Sequence, residues 1–273
     1  MTSDDQPDAG ELPDASFFVT EGERFVATDY ARGPWNPEAC HAGPPTGLLA
    51  RAAEQLVPDK QLVRITVELI RPVPMAGFRI QAAIDHDGRQ VATTATHLED
   101  DDGQVRVRAK GLHLASTDGR HRLPTASIDT PLLAHSRPGG FPIETTVHGL
   151  TGFRSGVSMR YPPGQDRKPG PTTVWMRTIP LLAGEEPSPF QRICPLADSG
   201  NAIGRNAEPD EVGFVNPDLT VVLHRAPEGL WLGSEAVSSW QPTGIGLADA
   251  LLFDHRGTVG RALQTLLLRP MTS

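Results

Sequence analysis

The sequence predicts an α+β fold built from one unit used twice. Three observations carry this expectation. An amphipathic helix is followed by four alternating strands, an order that is neither a helix bundle nor a βαβ repeat. Two landmarks return at one offset: Arg71-Pro72 reappears as Arg225-Ala226-Pro227 and the turn residue Gly103 as Gly257, and both 225 − 71 and 257 − 103 are 154. Pro (26) and Gly (27) are plentiful enough to supply the many turns of such a meander.

Element by element, residues 1–14 read as a loose polar tail, and short strands are expected at 17–19 and 25–26. Gly33-Pro34-Trp35-Asn36-Pro37 then approaches a helix. Pro44 and Pro45 suit its first turn, Leu48, Leu49, Ala52, Ala53 and Leu56 form one apolar stripe, and Pro58 stops it. Val63, Ile65, Val67 and Leu69 alternate with Arg64, Thr66 and Glu68, the period of a half-buried strand. Strands over 78–84, 91–98 and 105–114 complete the meander, with turns at Asp87-Gly88 and Asp102-Gly103. Residues 115–170 are punctuated by Pro-Gly clusters and read as a connector with one short strand near 156–161. The second half is expected to give a strand over 173–182, a short polar helix starting near Asp198, and strands over 215–223, 230–239, 246–253 and 258–268. The units are therefore drawn as 1–115, 116–170 and 171–273, with the site in the last.

A net charge of −8 weighs against nucleic acid as a partner, because phosphate binding needs a basic surface. Two cysteines, Cys40 and Cys194, make neither a disulfide framework nor a metal pattern. The first residues lack a signal peptide's basic start and apolar core, and no run approaches the roughly 18 apolar residues of a membrane span. The expectation is a cytoplasmic protein that needs no metal or cofactor. No serine elbow, Walker loop or zinc-protease motif is present, so a hydrolase here would have to activate water directly.

Three polar residues of the second half stand out. Asp198, in Leu196-Ala197-Asp198-Ser199-Gly200-Asn201-Ala202-Ile203-Gly204, reads equally as a helix cap or as an oriented carboxylate. Gln264 sits among Gly260, Ala262, Leu266 and Leu268, where a buried amide needs partners, either plain backbone or a site. Asn216 precedes Pro217 inside a strand, where a strand start or a bulge that re-aims a side chain is expected. At the offset of 154, Gln264 falls on Lys110 and Asn216 on Leu62, so the first half has no matching set. Adjacent Cys40-His41 makes a poor nucleophile–base pair, and His41 is kept as a pocket residue.

The order and duplication of Trp35 through Ala53, Leu196 through Gly204, Phe214 through Arg225 and Gly257 through Pro270 resemble the type II acyl-CoA thioesterases. That resemblance implies a double hot-dog, two fused units each with a helix wrapped by an antiparallel sheet. It also implies an acyl-CoA substrate, a place in fatty acid metabolism, and a homo-oligomer. In the family a carboxylate, a Ser or Thr, and a Gln hold the attacking water. These positions match Asp198, Asn216 and Gln264, and the asparagine is a departure that still donates and accepts hydrogen bonds. The start of the first helix would supply the oxyanion donor; Pro44 and Pro45 have no N–H, which leaves Gly43 or Thr46, with His41 beside them. Arg160, Arg167 and Lys168 are the cations that would meet coenzyme A phosphates. The alternative is a non-catalytic hot-dog protein that binds an acyl-CoA or acyl carrier. An enoyl-CoA hydratase ranks last, because it needs an Asp and a His together near the helix start, and the residues next after Asp198 are Ser199, Gly200 and Asn201.

Overall fold

The computed structural model describes residues 12–117, 129–143 and 149–271. Residues 1–11 of the expected tail, and 118–128 and 144–148 of the expected connector, lie outside the described residues. A hairpin of β1 (Phe18–Glu21) and β2 (Arg24–Ala27) precedes helix α1 (Gly43–Leu56). Strands β3 (Gln61–Leu69), β4 (Arg79–Asp87), β5 (Val91–Glu99) and β6 (Val105–Leu114) follow. Next come β7 (Arg137–Gly139), β8 (Val157–Tyr161) and β9 (Thr172–Thr178), then helices α2 (Pro189–Asp198) and α3 (Gly200–Ile203). The chain closes with β10 (Val212–Val215), β11 (Asp218–Leu223), β12 (Leu232–Trp240), β13 (Ile245–Asp254) and β14 (Gly257–Pro270).

One antiparallel sheet runs β4-β5-β6-β3-β11-β14-β13-β12-β9-β8-β7, and β10 also pairs with β14. Its inner face is lined by alternate residues such as Ile65, Val67, Leu219, Val221 and Ala262, all buried against the helices. This is the double hot-dog. The two units meet where β3 pairs with β11, and Thr220 faces Thr66, its own counterpart 154 residues away, with their hydroxyls 3.3 Å apart. A residue that pairs with its own duplicate lies on a local two-fold axis, as in an isologous dimer.

The offset of 154 holds for β3, β4 and β5 against the β10–β11 segment, β13's partner β12, and β13, but it slips by one at the last strand. Thr94 pairs with Gly111, and its counterpart Ala248 pairs with Gln264. The structural equivalent of Gln264 is therefore Gly111 and not Lys110. The cause is turn length: Glu99 pairs with Val105 across five residues, whereas Phe253 pairs with Thr258 across four.

A short helix does begin just after Asp198, α3 at Gly200, but it is preceded by a longer one that was not expected, α2, which begins at Pro189 and has Asp198 as its last residue. Phe190, Ile193, Cys194 and Ala197 are buried at helical spacing, and Ser188 caps the start by accepting the Gln191 N–H. Pro195 inside this helix disguises it in sequence. The strand expected over 173–182 stops at Thr178, and the strand expected over 215–223 is split into β10 and β11 by Asn216-Pro217. A proline without a ladder donor explains that break.

Close approach of the helices fixes the centre. A Cβ on Gly43 would sit 2.8 Å from Cα of Pro195, and one on Gly204, just after α3, would meet the Ala236 carbonyl carbon at 2.7 Å. Both contacts are with backbone, which cannot rotate away. Gly204→Ala is expected to lose about 1–3 kcal/mol of stability through overpacking, read as a lower urea midpoint at unchanged m value.

The landmark Arg225 clamps the turn into β14. It reaches both oxygens of the buried Asp254 at 2.6 Å and donates to the carbonyls of Gly257 and Thr258. Burial alone would raise the Asp254 carboxyl, but Arg225 and the N–H groups of Glu228 and Arg256 outweigh it and hold the pKa below the usual carboxylate range. A depressed folded-state pKa adds stability that is present above the unfolded value of about 4 and fades as pH falls through the folded one. Asp254→Asn should thus cost about 3 kcal/mol at pH 7. Urea melts at descending pH should show the gap to wild type closing below about pH 4; a constant gap would contradict the ion-pair account.

Candidate active site

Three elements of the second unit bring Asp198, Asn216 and Gln264 together. Asp198 ends α2, Asn216 sits in the break between β10 and β11, and Gln264 faces inward from β14. Asn216 Nδ2 donates to Asp198 Oδ1 at 3.0 Å, and Gln264 Nε2 donates to the same oxygen at 3.2 Å and to the Asp198 carbonyl at 3.0 Å. The cap reading of Asp198 fails: Ser199 precedes α3, and no side chain caps that short helix. The Gln264 amide has the partners that its burial requires, bonding backbone and carboxylate alike.

Asn201 links the set and carried no signal of its own in the sequence. Its backbone N–H donates to Gln264 Oε1 at 3.0 Å, and its Nδ2 donates to Asn216 Oδ1 at 3.1 Å. Asn216 Nδ2 also reaches the Asp218 carbonyl at 3.2 Å. Asp198 and Gln264 are 3% and 1% exposed, so these donors replace water around a buried carboxylate.

The second oxygen of Asp198 faces the other unit. His41 Nδ1 lies 3.0 Å from Asp198 Oδ2, and the ring stacks on Phe153 with centroids 3.9 Å apart and planes at 13°. An Asp–His pair thus exists after all, although the histidine comes from the approach to α1 and not from the residues after Asp198. Nothing local in the sequence announces a contact between residues 41 and 198, or the role of Phe153 from within the Pro-Gly-rich stretch.

Gly43 N–H lies 3.2 Å from the same His41 Nδ1. In the first turn of α1, Pro44 and Pro45 have no N–H, and Thr46 N–H is committed to the Ala42 carbonyl. Of the two oxyanion donors expected, Thr46 is thus spent within the helix, and Gly43, at the positive end of a 14-residue helix, is directed at the His41 ring. The Thr46 hydroxyl is buried without a hydrogen-bond partner among the described residues.

The expected cations separate. The Arg160 and Arg177 guanidiniums each lie 5.4 Å from the Trp231 ring centroid. Arg167 and Lys168 line a groove of about 550 Å³ with Arg205, Glu208 and Asp210, and none of the Asp198 cluster lines it. Among the described residues no cluster of His, Cys, Asp or Glu could hold a metal, and no helix is long and apolar enough to cross a membrane.

Comparison with known proteins gives the family and the fold. Residues 31–113 match the acyl-CoA thioesterase N-terminal domain and residues 130–268 the acyl-CoA thioesterase C-terminal domain. The chain belongs to the acyl-CoA thioesterase family. Its fold is similar to that of a hot-dog protein of unknown function from Alicyclobacillus acidocaldarius, at 16% identity and TM-score 0.69 over 92% of this chain and 95% of that one. It is also similar to an acyl-CoA thioesterase II from Mycobacterium marinum, at 16% identity and TM-score 0.57 over 91% and 92%. The tesB protein of Mycobacterium avium subspecies paratuberculosis aligns at 13% identity and TM-score 0.61 over 93% and 96%. No curated protein matches the sequence.

Cys40 does not join the Asp198 cluster. Its Sγ points to the Pro74 carbonyl and the Met75 sulfur, and burial, opposed only by the charge of Arg32, pushes its thiol up to about 12. Burial also raises Cys194 well above the usual thiol range, with Glu54 and Asp198 adding to the shift. A thiolate is the reactive form, so folded protein at pH 8 should resist iodoacetamide, with no mass shift, while urea-unfolded protein takes up two labels; fast labelling of the native chain would refute the burial of these thiols.

Proposed function

We propose that this protein hydrolyses an acyl-CoA thioester to the free acid and coenzyme A. The observation that carries the reading is the convergence of Asp198, Asn216 and Gln264 on one buried carboxylate, bonded at 3.0 and 3.2 Å, beside the N-terminus of α1. Family membership supports the substrate class.

A thioester carbonyl is a good electrophile, and its thiolate leaves readily, so the protein need only hold a water in line and stabilise the charge that develops. Asp198 supplies the negative charge that activates this water, and Gln264 and Asn216 fix the carboxylate's orientation. The Gly43 N–H meets the carbonyl oxygen as it becomes an oxyanion. His41 and Asn216 are both partly exposed, whereas Asp198 and Gln264 are not, so substrate would approach along the side where those two residues lie.

Thiol release should be measured over a panel of acyl-CoA chain lengths with wild type, Asp198→Asn and Gln264→Ala. The expected result is turnover by wild type and a loss of about 100-fold or more in kcat for Asp198→Asn. Gln264→Ala should lose about 10-fold or more in kcat, assayed well below the Tm of each variant, because removing a partner of the buried carboxylate also lowers stability. Tight acyl-CoA binding by wild type with no thiol released would overturn the hydrolase and leave the non-catalytic carrier-binding alternative.

A further inference from the structure

We propose that His41 Nε2, rather than the Asp198 carboxylate, takes the proton of the attacking water, and that Asp198 acts through His41. The inference rests on the hydrolase reading of the same site and moves the base by one residue.

The first ground is a count of donors and acceptors. Both Gln264 Nε2 hydrogens are directed at Asp198, one at its carbonyl and one at Oδ1. Both Asn216 Nδ2 hydrogens are spent, on Asp198 Oδ1 and the Asp218 carbonyl. Oδ2 faces His41. Asp198, Asn216 and Gln264 themselves therefore offer a water no donor, and three of roughly four acceptor positions of the carboxylate are already engaged. Attack on the thioester removes only one proton from the water, and the carboxylate has a single lone-pair position left to take it.

The second ground is the tautomer of His41. One ring nitrogen cannot donate to Asp198 Oδ2 at 3.0 Å and also accept from Gly43 N–H at 3.2 Å. Two lone pairs facing each other at 3.0 Å would repel, so a proton lies between Nδ1 and the carboxylate. Neutral imidazole carries a single N–H. Nδ1 therefore holds it, Nε2 keeps its lone pair, and the Gly43 N–H loses the ring as its acceptor. Nε2 has no hydrogen-bond partner among the described residues, and the stack on Phe153 fixes the ring plane. Imidazole is also intrinsically the stronger base, by about 2–3 pKa units over a carboxylate.

The step balances. The water oxygen bonds to the thioester carbon, the carbonyl π pair moves to oxygen opposite Gly43 N–H, and the water proton goes to His41 Nε2. The resulting imidazolium stays paired with the Asp198 carboxylate. On collapse the C–S bond breaks, and the departing sulfur takes the proton back from Nε2 as the thiol of coenzyme A. The other titratable or charged groups around the ring do not compete. Cys40 and Cys194 are held as thiols by burial. Arg32 is engaged by Pro37, Thr151 and Asp29, and Arg154 stands on the exposed side of the Phe153 turn.

The test compares wild type, His41→Asn and His41→Ala by kcat, KM and pH profile on one acyl-CoA that wild type turns over. Asparagine at 41 keeps an N–H for Asp198 but has no basic nitrogen, which separates a base from a prop. The expected result is a wild-type acid limb in kcat/KM between about pH 5 and 8, the imidazole range. His41→Asn should lose about 100-fold or more in kcat at little change in KM and lose that limb with it. Added imidazole should restore part of the His41→Ala rate. A His41→Asn enzyme within about fivefold of wild type, or a wild-type acid limb lying below pH 5 in the carboxylate range, would overturn the inference and leave the hydrolase intact. Absence of thiol release by wild type at every pH would overturn both.

Discussion

A carboxylate taken almost wholly out of water has to be met by donors, and that requirement organises the second unit. Asp198 is 3% exposed at the end of α2, where the carbonyls of the last turn add to its negative surroundings. No single element can satisfy it. The compensating groups come from the β10–β11 break, from β14 and from the approach to α1 in the other unit. Each is then held in turn: Asn216 and Gln264 by Asn201, His41 by Phe153. Removing one partner leaves an unmatched charge, so the cluster behaves as one piece and its geometry is over-determined.

The first unit shows what the same scaffold does without that carboxylate. Counted from the helix starts, Asp198 falls opposite Ala52, Gln264 opposite Gly111 by strand register, and Asn216 opposite Leu62. The space is filled by packing: a Cβ on Gly111 would meet Leu62 Cδ1 at 3.2 Å, and the Thr94 hydroxyl, which bonds His113, lies closer still. His113 is fully buried, and burial lowers its pKa, so it rests as a neutral core residue. One copy thus fills its interior by packing while the other holds a buried polar cluster, and both share the β3–β11 seam.

Much of this was legible in the chain itself, because periodicity and offset are local or repetitive signals. The four-strand meanders, α1 between Pro44 and Pro58, and the break at Asn216-Pro217 follow from alternation, from proline chemistry and from the 154-residue repeat. Helix α2 was not legible: Phe190, Ile193, Cys194 and Ala197 carry the spacing, but Pro195 contradicts it, and tertiary packing against α1 overrode that local penalty. The slip from Lys110 to Gly111 was hidden in a turn one residue shorter, since a one-residue change turns every side chain of a strand to its other face. The His41 contact with Asp198 was hidden for a different reason, being made only when two helices cross at Gly43 and Pro195.

Irregularity in this protein is concentrated where the polar groups meet. α1 runs unbroken for 14 residues, whereas its counterpart carries Pro195, ends at Asp198 and resumes as α3 after Ser199. β3 tolerates a register shift next to Leu62, whereas Pro217 breaks the equivalent strand outright beside Asn216. Pro195 denies the Gln191 carbonyl its helical partner, and the helix end that follows frees Asp198 to turn towards the sheet. A continuous helix and a continuous strand would have kept both side chains in register with their neighbours and therefore apart. Neither proline touches the chemistry proposed here, and the crossing glycine adds to its proposed N–H a part in the scaffold. They set where the helix ends, where the strand stops and how near the units approach, and those three distances determine whether a histidine from one copy can reach a carboxylate in the other.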